Sequence, residues 1–460
     1  MEKQINERDI AFGILIEMEK DERKKQLGVK GALERLDYLD SRSKAFIKYL
    51  SDGVIERMLT LDYIIDQYSK TPVEKMDSPI KCIIRMGTFQ IMYMDNVPDS
   101  AAVNESVKLA IMHGFKGLKG FVNGVLRNIA RNKEDIKWPN PGNTTETRAN
   151  YLSIKYSQPQ WLAEMWIDQC GVEKTLHAFK FFLETRPVTI RFSKRLGAEE
   201  VRDLIAKMKT ANEGRIKLQP SSVLPYALNM YHTDNLRYIP GFDEGAWMVQ
   251  DISSMLVGEI ADIKKNQTVL DVCAAPGGKS IHAADIMRGT GKVISRDISE
   301  NKCMIIKENA RRMKVDNMEV RQGDASRHEE SLENTADVLY CDLPCSGLGV
   351  IGRKPDIKLN MDPLSILSLQ KKQREILENV WNYVKPGGTL IYSTCTMSKA
   401  ENEDNVKWIL EKLPFEAVDI TDRLPEKMKA CPTAAAGYIQ LAPGEYETDG
   451  FFIAKFRRKE

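Results

Sequence analysis

The stretch Thr268-Val-Leu-Asp-Val-Cys-Ala-Ala-Pro-Gly-Gly-Lys279 constrains the fold more than any other part of the chain. Val269 to Val272 is a short apolar run, the pattern of a buried parallel strand. It ends in small residues and a Pro-Gly-Gly turn, and a helical pattern begins after Lys279 and Ser280. A strand that feeds a tight turn and then a helix is the unit of an open α/β sheet, whose ligands sit at the carboxyl ends of the strands. Glycine lets the backbone approach a ligand closely, and the helix start presents unpaired N–H groups. The turn is neither GxGxxG nor GxxxxGK[ST], so it points to a nucleotide-like ligand other than NAD or ATP. Taken alone, it also fits a glycine-rich turn that binds nothing.

The residues that follow repeat the unit. Strands are predicted near 268–273, 292–296, 318–322, 336–341, 388–393, 415–420 and 451–456, with helices between them at Leu364–Val384 and Lys399–Lys412 among others. Strand–helix alternation implies a largely parallel, doubly wound sheet, and residues 256–460 are assigned to it. Acidic residues punctuate the strand ends: Asp271, Asp297, Asp324 and Asp342. Each alone is an ordinary helix cap or loop residue. Four on one edge of a sheet suggest a shared ligand, with the acid after the second strand accepting from ribose hydroxyls and Asp324 near an adenine edge.

The first part of the chain has a different period. Apolar stripes run through Ile10, Ile14, Ile16 and Met18, and through Ala45, Phe46, Tyr49 and Leu50. A third helix opens at Ser78-Pro79, with Ser78 as N-cap, and carries Ile80, Ile83, Ile84, Gly87 and Ile91 on one face. A fourth begins at Ser100 with Val103, Val107 and Ile111, and Gly114 stops it. Residues 1–138 therefore read as an all-helical bundle. Between Lys108 and Lys137 lie seven basic residues: Lys108, Lys116, Lys119, Arg127, Arg131, Lys133 and Lys137. They form either a solvated face or a phosphate-binding one. Pro98-Asp-Ser-Ala-Ala-Val-Asn-Glu105 and Gly120-Phe-Val-Asn-Gly-Val-Leu-Arg127 resemble the NusB-type RNA-binding fold. Trp138-Pro-Asn-Pro-Gly-Asn-Thr-Thr145 is a linker by composition. Residues 145–255 read as a small α+β unit, with a strand at Pro187–Phe192, a helix at Ala198–Met208, and short strands at Arg215–Leu218 and Ala227–Met230.

With 460 residues the prior is roughly three domains. No run of about 18 apolar residues occurs, so no membrane partner is expected. The start, Met1-Glu-Lys-Gln-Ile, continues with acidic and polar residues and has the pattern of neither a signal nor a transit peptide. Eight cysteines without close paired spacing exclude a disulfide scaffold and a zinc site, so no metal is expected and a reducing cytoplasm fits. The net charge of +2 says little about partners, and a monomer is expected.

Two cysteines stand apart. Asp342-Leu-Pro-Cys-Ser-Gly-Leu-Gly349 follows the fourth predicted strand and Ser393-Thr-Cys-Thr396 the fifth, so Cys345 and Cys395 lie on the ligand edge. A redox pair would more often be CxxC, and a nucleophilic role is the other reading. Together with residues 271–279, Arg353-Lys-Pro-Asp-Ile357, Lys385-Pro-Gly-Gly388, Glu401-Asn-Glu403 and Asp449-Gly-Phe-Phe452, these elements look like the RNA cytosine-5 methyltransferases of the Sun/Fmu family. The resemblance covers nearly the whole chain. It implies an all-α NusB-like N-terminal domain, a small α+β middle domain and a C-terminal Rossmann-like class I methyltransferase domain. Fusion to a NusB-like region is similar to the branch of the family that methylates small-subunit ribosomal RNA.

The resemblance also implies roles. Cys395 would be the nucleophile, Cys345 would assist product release, Asp342 would hydrogen-bond the base, and Lys279 would lie beside the site. S-adenosyl-L-methionine would be the cofactor, with Cys273, Ala274, Ala275, Pro276, Gly277, Gly278 and Lys279 lining it, Asp297 on the ribose, Asp324 near the adenine and Asp342 closing the pocket. Two departures stand out: Arg296 precedes Asp297 where a small apolar residue is commoner, and Arg353-Lys354 replaces a pair of arginines. Competing readings are a non-catalytic ribosome-assembly factor, a methyltransferase for protein or a small molecule, and an enzyme acting on transfer RNA or another ribosomal site.

Overall fold

The computed structural model describes residues 6–20, 29, 31–33, 36, 38–211, 214–233 and 235–460; the start at residues 1–5 lies outside the described residues. The chain forms two compact units, one of residues 1–183 with 351–360, the other of residues 184–350 with 361–460. The boundary at 183/184 thus falls inside the segment 145–255 that composition suggested as a middle unit.

The first unit is helical: α1 (Glu7–Lys20), α2 (Ser41–Glu56), α3 (Met58–Tyr68), α4 (Ser78–Tyr93), α5 (Asp99–Met112), α6 (Lys119–Arg131), α7 (Thr145–Tyr156), α8 (Gln160–Cys170) and α9 (Val172–Phe182). The predicted face of α4 is buried throughout, at Ile80, Ile83, Ile84, Gly87 and Ile91. In α2 the buried face is instead Ser43, Ile47, Leu50 and Val54, and Tyr49 and Ala45 face solvent. The helix docks through Gly53, where a Cβ would lie 2.0 Å from the Phe89 ring of α4. That contact, rather than the local aromatic run, sets its rotation. Ile111 of α5 is likewise exposed. At the start of α4 the capping position belongs to Asp77, and the Ser78 hydroxyl goes to Glu19. The expected linker is partly anchored: Trp138 stacks on Tyr63 and lies 3.8 Å beneath the Lys155 ammonium. The helices α7–α9 join this unit because α7 caps α3: Leu59 N donates to Ser157 Oγ at 3.1 Å and Thr60 Oγ1 to the Ile154 carbonyl at 2.6 Å. Residues 351–360 join it through buried Lys358, whose ammonium donates to the carbonyls of Glu56 and Ser157.

The second unit begins with β1 (Val188–Phe192), α10 (Ala198–Thr210), β2 (Lys217–Pro220), β3 (Ala227–Tyr231) and β4 (Trp247–Val249), an antiparallel sheet in the order β2-β3-β1-β4. Then come α11 (Ile252–Ala261), β5 (Thr268–Asp271), α12 (Gly278–Ile286), β6 (Lys292–Asp297), α13 (Glu300–Arg312), β7 (Met318–Gln322), β8 (Ala336–Asp342), α14 (Pro363–Val380), β9 (Val384–Thr394), α15 (Glu403–Lys412), β10 (Phe415–Ala417), β11 (Tyr438–Leu441) and β12 (Phe451–Arg458). The order is β10-β12-β9-β8-β5-β6-β7, with β11 on β12; β9, β8, β5, β6 and β7 run parallel, and β12 antiparallel to β9. Val269 and Leu270 of central β5 have no exposed surface, as a strand covered by helices on both faces requires. β4 and β11, of three and four residues, are strands the sequence reading missed. The small sheet is tied to α12 by Arg191 of β1, which pairs with buried Asp285; Ser193 Oγ donates to the same carboxylate at 3.0 Å.

Candidate active site

The carboxyl ends of the five parallel strands make one edge, and the glycine turn, the four acids and Cys345 and Cys395 stand along it. The turn after β5 closes tightly: Gly277 N donates to the Ala274 carbonyl at 2.7 Å, and Gly277 has φ +99°, a conformation open to glycine. Neighbouring strands hold the turn. Ala274 N donates to the Arg296 carbonyl at 2.8 Å and Ala275 N to Asp297 Oδ2 at 3.2 Å. Cys273, Ala274, Ala275, Pro276, Gly277 and Gly278 therefore form a continuous floor between β5 and α12.

Acidic side chains border this floor. Asp271 is buried, accepts from Ser280 Oγ at 2.6 Å through one oxygen, and has no partner on the other. Burial, followed by the charges of Asp271, Asp297 and Asp342, raises the Cys273 thiol far above its ordinary value. Asp297 ends β6 with Oδ1 receiving Ser299 N at 3.3 Å. Asp324 follows β7 and receives Ser326 N at 2.9 Å, a bond that holds its carboxyl below the usual range. Beside it opens a cleft of about 530 Å³ lined by Ile298, Gly323 and Asp324, with Arg296 and Glu329 at its wall. Arg296 is buried and its Nη2 pairs with Glu329 Oε2 at 2.9 Å. Carboxylates gathered round a glycine turn, next to a mixed polar cleft that also presents Arg327 and His328, suit a ligand with a cationic centre, a ribose and a base.

Two strands over, the register of parallel β8 and β9 sets Asp342 opposite Ser393. Ser393 Oγ donates to Asp342 Oδ1 at 2.8 Å, and Lys279 Nζ, from the first turn of α12, donates to Oδ2 at 2.6 Å. Burial alone would lower the Lys279 ammonium. Asp342, Asp271 and Cys395 outweigh it, so the group stays above its ordinary value. Just beyond these strand ends, Cys345 Sγ and Cys395 Sγ approach to 3.3 Å. Adjacent strands run about 4.8 Å apart, so the loops that leave them can bring two side chains into contact. Gly349 N donates to the Cys395 carbonyl at 3.0 Å, and a Cβ on Gly349 would meet the Gly450 carbonyl oxygen at 2.1 Å. The Cys345 thiol is held well above its ordinary range by the hydrogen bond with Cys395, then by burial and by the charges of Cys395 and Glu401. The eight cysteines form no disulfide, and no group of metal-ligating type occurs among the described residues.

The structure thus brings Lys279, Asp342, Cys345 and Cys395 into one cluster, and sets Asp297 and Asp324 along the same edge beside the turn. Sequence reasoning assigned no role to Ser393, Ser346, Gln373 or Glu401, which hold that cluster. Serine and glutamate are too common for spacing to single them out, and only the Glu401-Asn-Glu403 element hinted at it.

Fold and site together define a class I, Rossmann-like methyltransferase that uses S-adenosylmethionine. Residues 259–457 match the family "16S rRNA methyltransferase RsmB/F" and residues 5–131 match the "NusB family". The chain is 33% identical to the "Probable ribosomal RNA small subunit methyltransferase B" of Bacillus subtilis (strain 168), over 99% of this chain and 100% of that protein. The crystal structure of PH0851 is similar in fold over all of both chains, with a TM-score of 0.79 at 24% identity. A methyltransferase homologue from Pyrococcus horikoshii is 25% identical and has a TM-score of 0.54, covering 67% of this chain and 97% of that one. The chain belongs to the 16S rRNA methyltransferase RsmB/F family.

Proposed function

We propose that this protein methylates carbon 5 of a cytidine in small-subunit ribosomal RNA through a covalent adduct on Cys395. The observation that carries the reading is the 3.3 Å approach of Cys345 Sγ and Cys395 Sγ beside the Lys279–Asp342 pair. The chain's 33% identity to the probable ribosomal RNA small subunit methyltransferase B of Bacillus subtilis supports the RNA substrate.

The acidic turn from Cys273 to Lys279, with Asp297 and Asp324, would hold S-adenosylmethionine, which when bound supplies an electrophilic methyl group to carbon 5. Carbon 5 of cytosine is too weak a nucleophile until carbon 6 has been attacked. Cys395 as a thiolate adds to carbon 6 and turns carbon 5 into the nucleophilic end of an enamine. Asp342, paired with Lys279, accepts hydrogen bonds from the exocyclic amine and from ring nitrogen 3, which takes a proton from solvent as the thiolate adds and returns it as the thiolate leaves. After methylation Cys345 takes the proton from carbon 5, the double bond re-forms, and the Cys395 thiolate leaves. Reaching carbon 6 requires a base that is unstacked or in a single-stranded segment.

The test is a pair of variants incubated with ribosomal RNA and cofactor. Cys395→Ala is expected to transfer no methyl and form no adduct. Cys345→Ala is expected to accumulate a methylated RNA–protein adduct that survives denaturation. An adduct in Cys395→Ala instead would reverse the assigned roles, and 5-methylcytosine mapping identifies the nucleotide.

A further inference from the structure

Glu401 lies six residues beyond Cys395 and is fully buried. Its Oε1 accepts from Ser346 N at 2.9 Å and from Gln373 Nε2 at 3.0 Å, and its Oε2 accepts from Ser346 Oγ at 2.6 Å. Three donors converge on two oxygens, an arrangement that an ionised carboxylate fills. Burial raises this carboxyl, and the bonds from Ser346, Gln373 and Ser398 oppose that rise. Ser346 directly follows Cys345, so the charge stands behind that thiol. The ammonium of Lys279 is close enough to Cys395 for that thiol to favour its protonation. The groups facing the two thiols are Lys279 from α12, Asp342 from β8, Glu401 from the loop before α15, and Tyr392 of β9, a buried phenol whose hydroxyl burial keeps neutral. Two thiols at 3.3 Å therefore differ in surroundings: the uncompensated Glu401 charge acts on Cys345, and the Lys279–Asp342 pair neighbours Cys395.

We propose that Glu401 is a positioning residue that keeps the proton shared by the two thiols on Cys345 and leaves the thiolate on Cys395. The inference rests on the two-cysteine reading above and adds what decides between the cysteines. It also accounts for the order of events. Bonding to carbon 6 removes the charge on Cys395, which frees Cys345 to release its proton to solvent and then to accept the one on carbon 5.

The experiment is site-resolved alkylation of the full-length protein by iodoacetamide across pH, without RNA, read by mass spectrometry. In the unaltered protein Cys395 is expected to react first. In Glu401→Gln the ratio of Cys345 to Cys395 alkylation is expected to rise about tenfold, as one unit of pKa implies, with the Cys345 profile moving to lower pH. Glu401→Asp, which keeps the charge, restores the preference for Cys395. Ser346→Ala removes a hydrogen bond but no charge and leaves the ratio unchanged. A cooperative thermal transition followed by circular dichroism reports that each variant is folded. Should Glu401→Gln lose it, Lys279→Gln decides, with the same tenfold rise expected. An unchanged ratio in a folded Glu401→Gln or Lys279→Gln protein overturns the proposal, as does a Ser346→Ala protein that behaves like Glu401→Gln. A reversed adduct pattern on RNA would overturn the roles of the cysteines without altering the alkylation response, so the two failures are distinguishable.

Discussion

Asp271 ends β5 with one oxygen on Ser280 and the other buried without a partner, and burial pushes its pKa up to about 7 from an ordinary 3.8. The neighbouring Asp342 charge adds to the rise, and Ser280 and Lys279 oppose it. A carboxyl raised on folding contributes stability that is complete below its unfolded value and lost as pH climbs through its folded value. The window is therefore about pH 4 to 7, and a shift of that size corresponds to on the order of 4 kcal/mol. Asp271→Asn is expected to raise the melting temperature relative to the unaltered protein at pH 8 and to give little gain at pH 4. Scanning calorimetry checks this, and an equal difference at both pH values counts against it. At this scale the sequence was most informative where a residue type is rare for its place. Cys345 and Cys395, just past apolar runs, could be read directly. Arg296 could not, because its partner Glu329 sits on a different loop.

Between elements, packing rather than propensity decided orientation. Gly53 of α2 sits against Phe89 of α4 with no room for a methyl group. Alanine would favour the helix by about 1 kcal/mol, but overpacking a rigid ring costs about 1–3 kcal/mol. Gly53→Ala is expected to lower the denaturant midpoint of unfolding, and an unchanged or higher midpoint would mean that the Phe89 ring moves aside freely. The face of α4 was legible because its apolar residues repeat at helical spacing over about three turns. The face of α2 was read half correctly: Leu50 is buried and Phe46 packs on the core, but Ala45 and Tyr49 face solvent, while Ile47 and Val54 meet the core. Strands β4 and β11 escaped because three or four residues carry too little alternation, and they exist through the partners β1 and β12.

At the scale of the whole molecule, the helical unit carries a basic surface of its own. The basic residues of the helical unit are mostly exposed, including Lys116, Lys119, Arg127, Arg131 and Lys137, while Lys108 is engaged by Glu105 and Lys133 by Asp99. No helix among the described residues is long and apolar enough to cross a membrane. If the basic face meets RNA phosphates, each contact releases counterions and steepens the salt dependence of binding. The full-length Arg127→Glu/Arg131→Glu protein is expected to bind ribosomal RNA more weakly, with the slope of log Kd against log salt reduced by about 1 to 2. Fluorescence anisotropy at several salt concentrations measures it. An unchanged slope would leave these arginines as a solvated helix face.

The sequence by itself determined the α/β class of the second unit, the helical class of the first, the glycine turn after β5 and the two cysteines just past strand ends. Each is written in local patterns: a strand–turn–helix, a period of 3.6, a cysteine after a strand. Tertiary structure decided what local patterns cannot hold. It brought two thiols fifty residues apart to 3.3 Å, set Ser393 opposite Asp342 through strand register, and set a buried glutamate behind one cysteine. It also drew residues 351–360 into the helical unit. Charge and proximity act through space, and only folding fixes which groups share it.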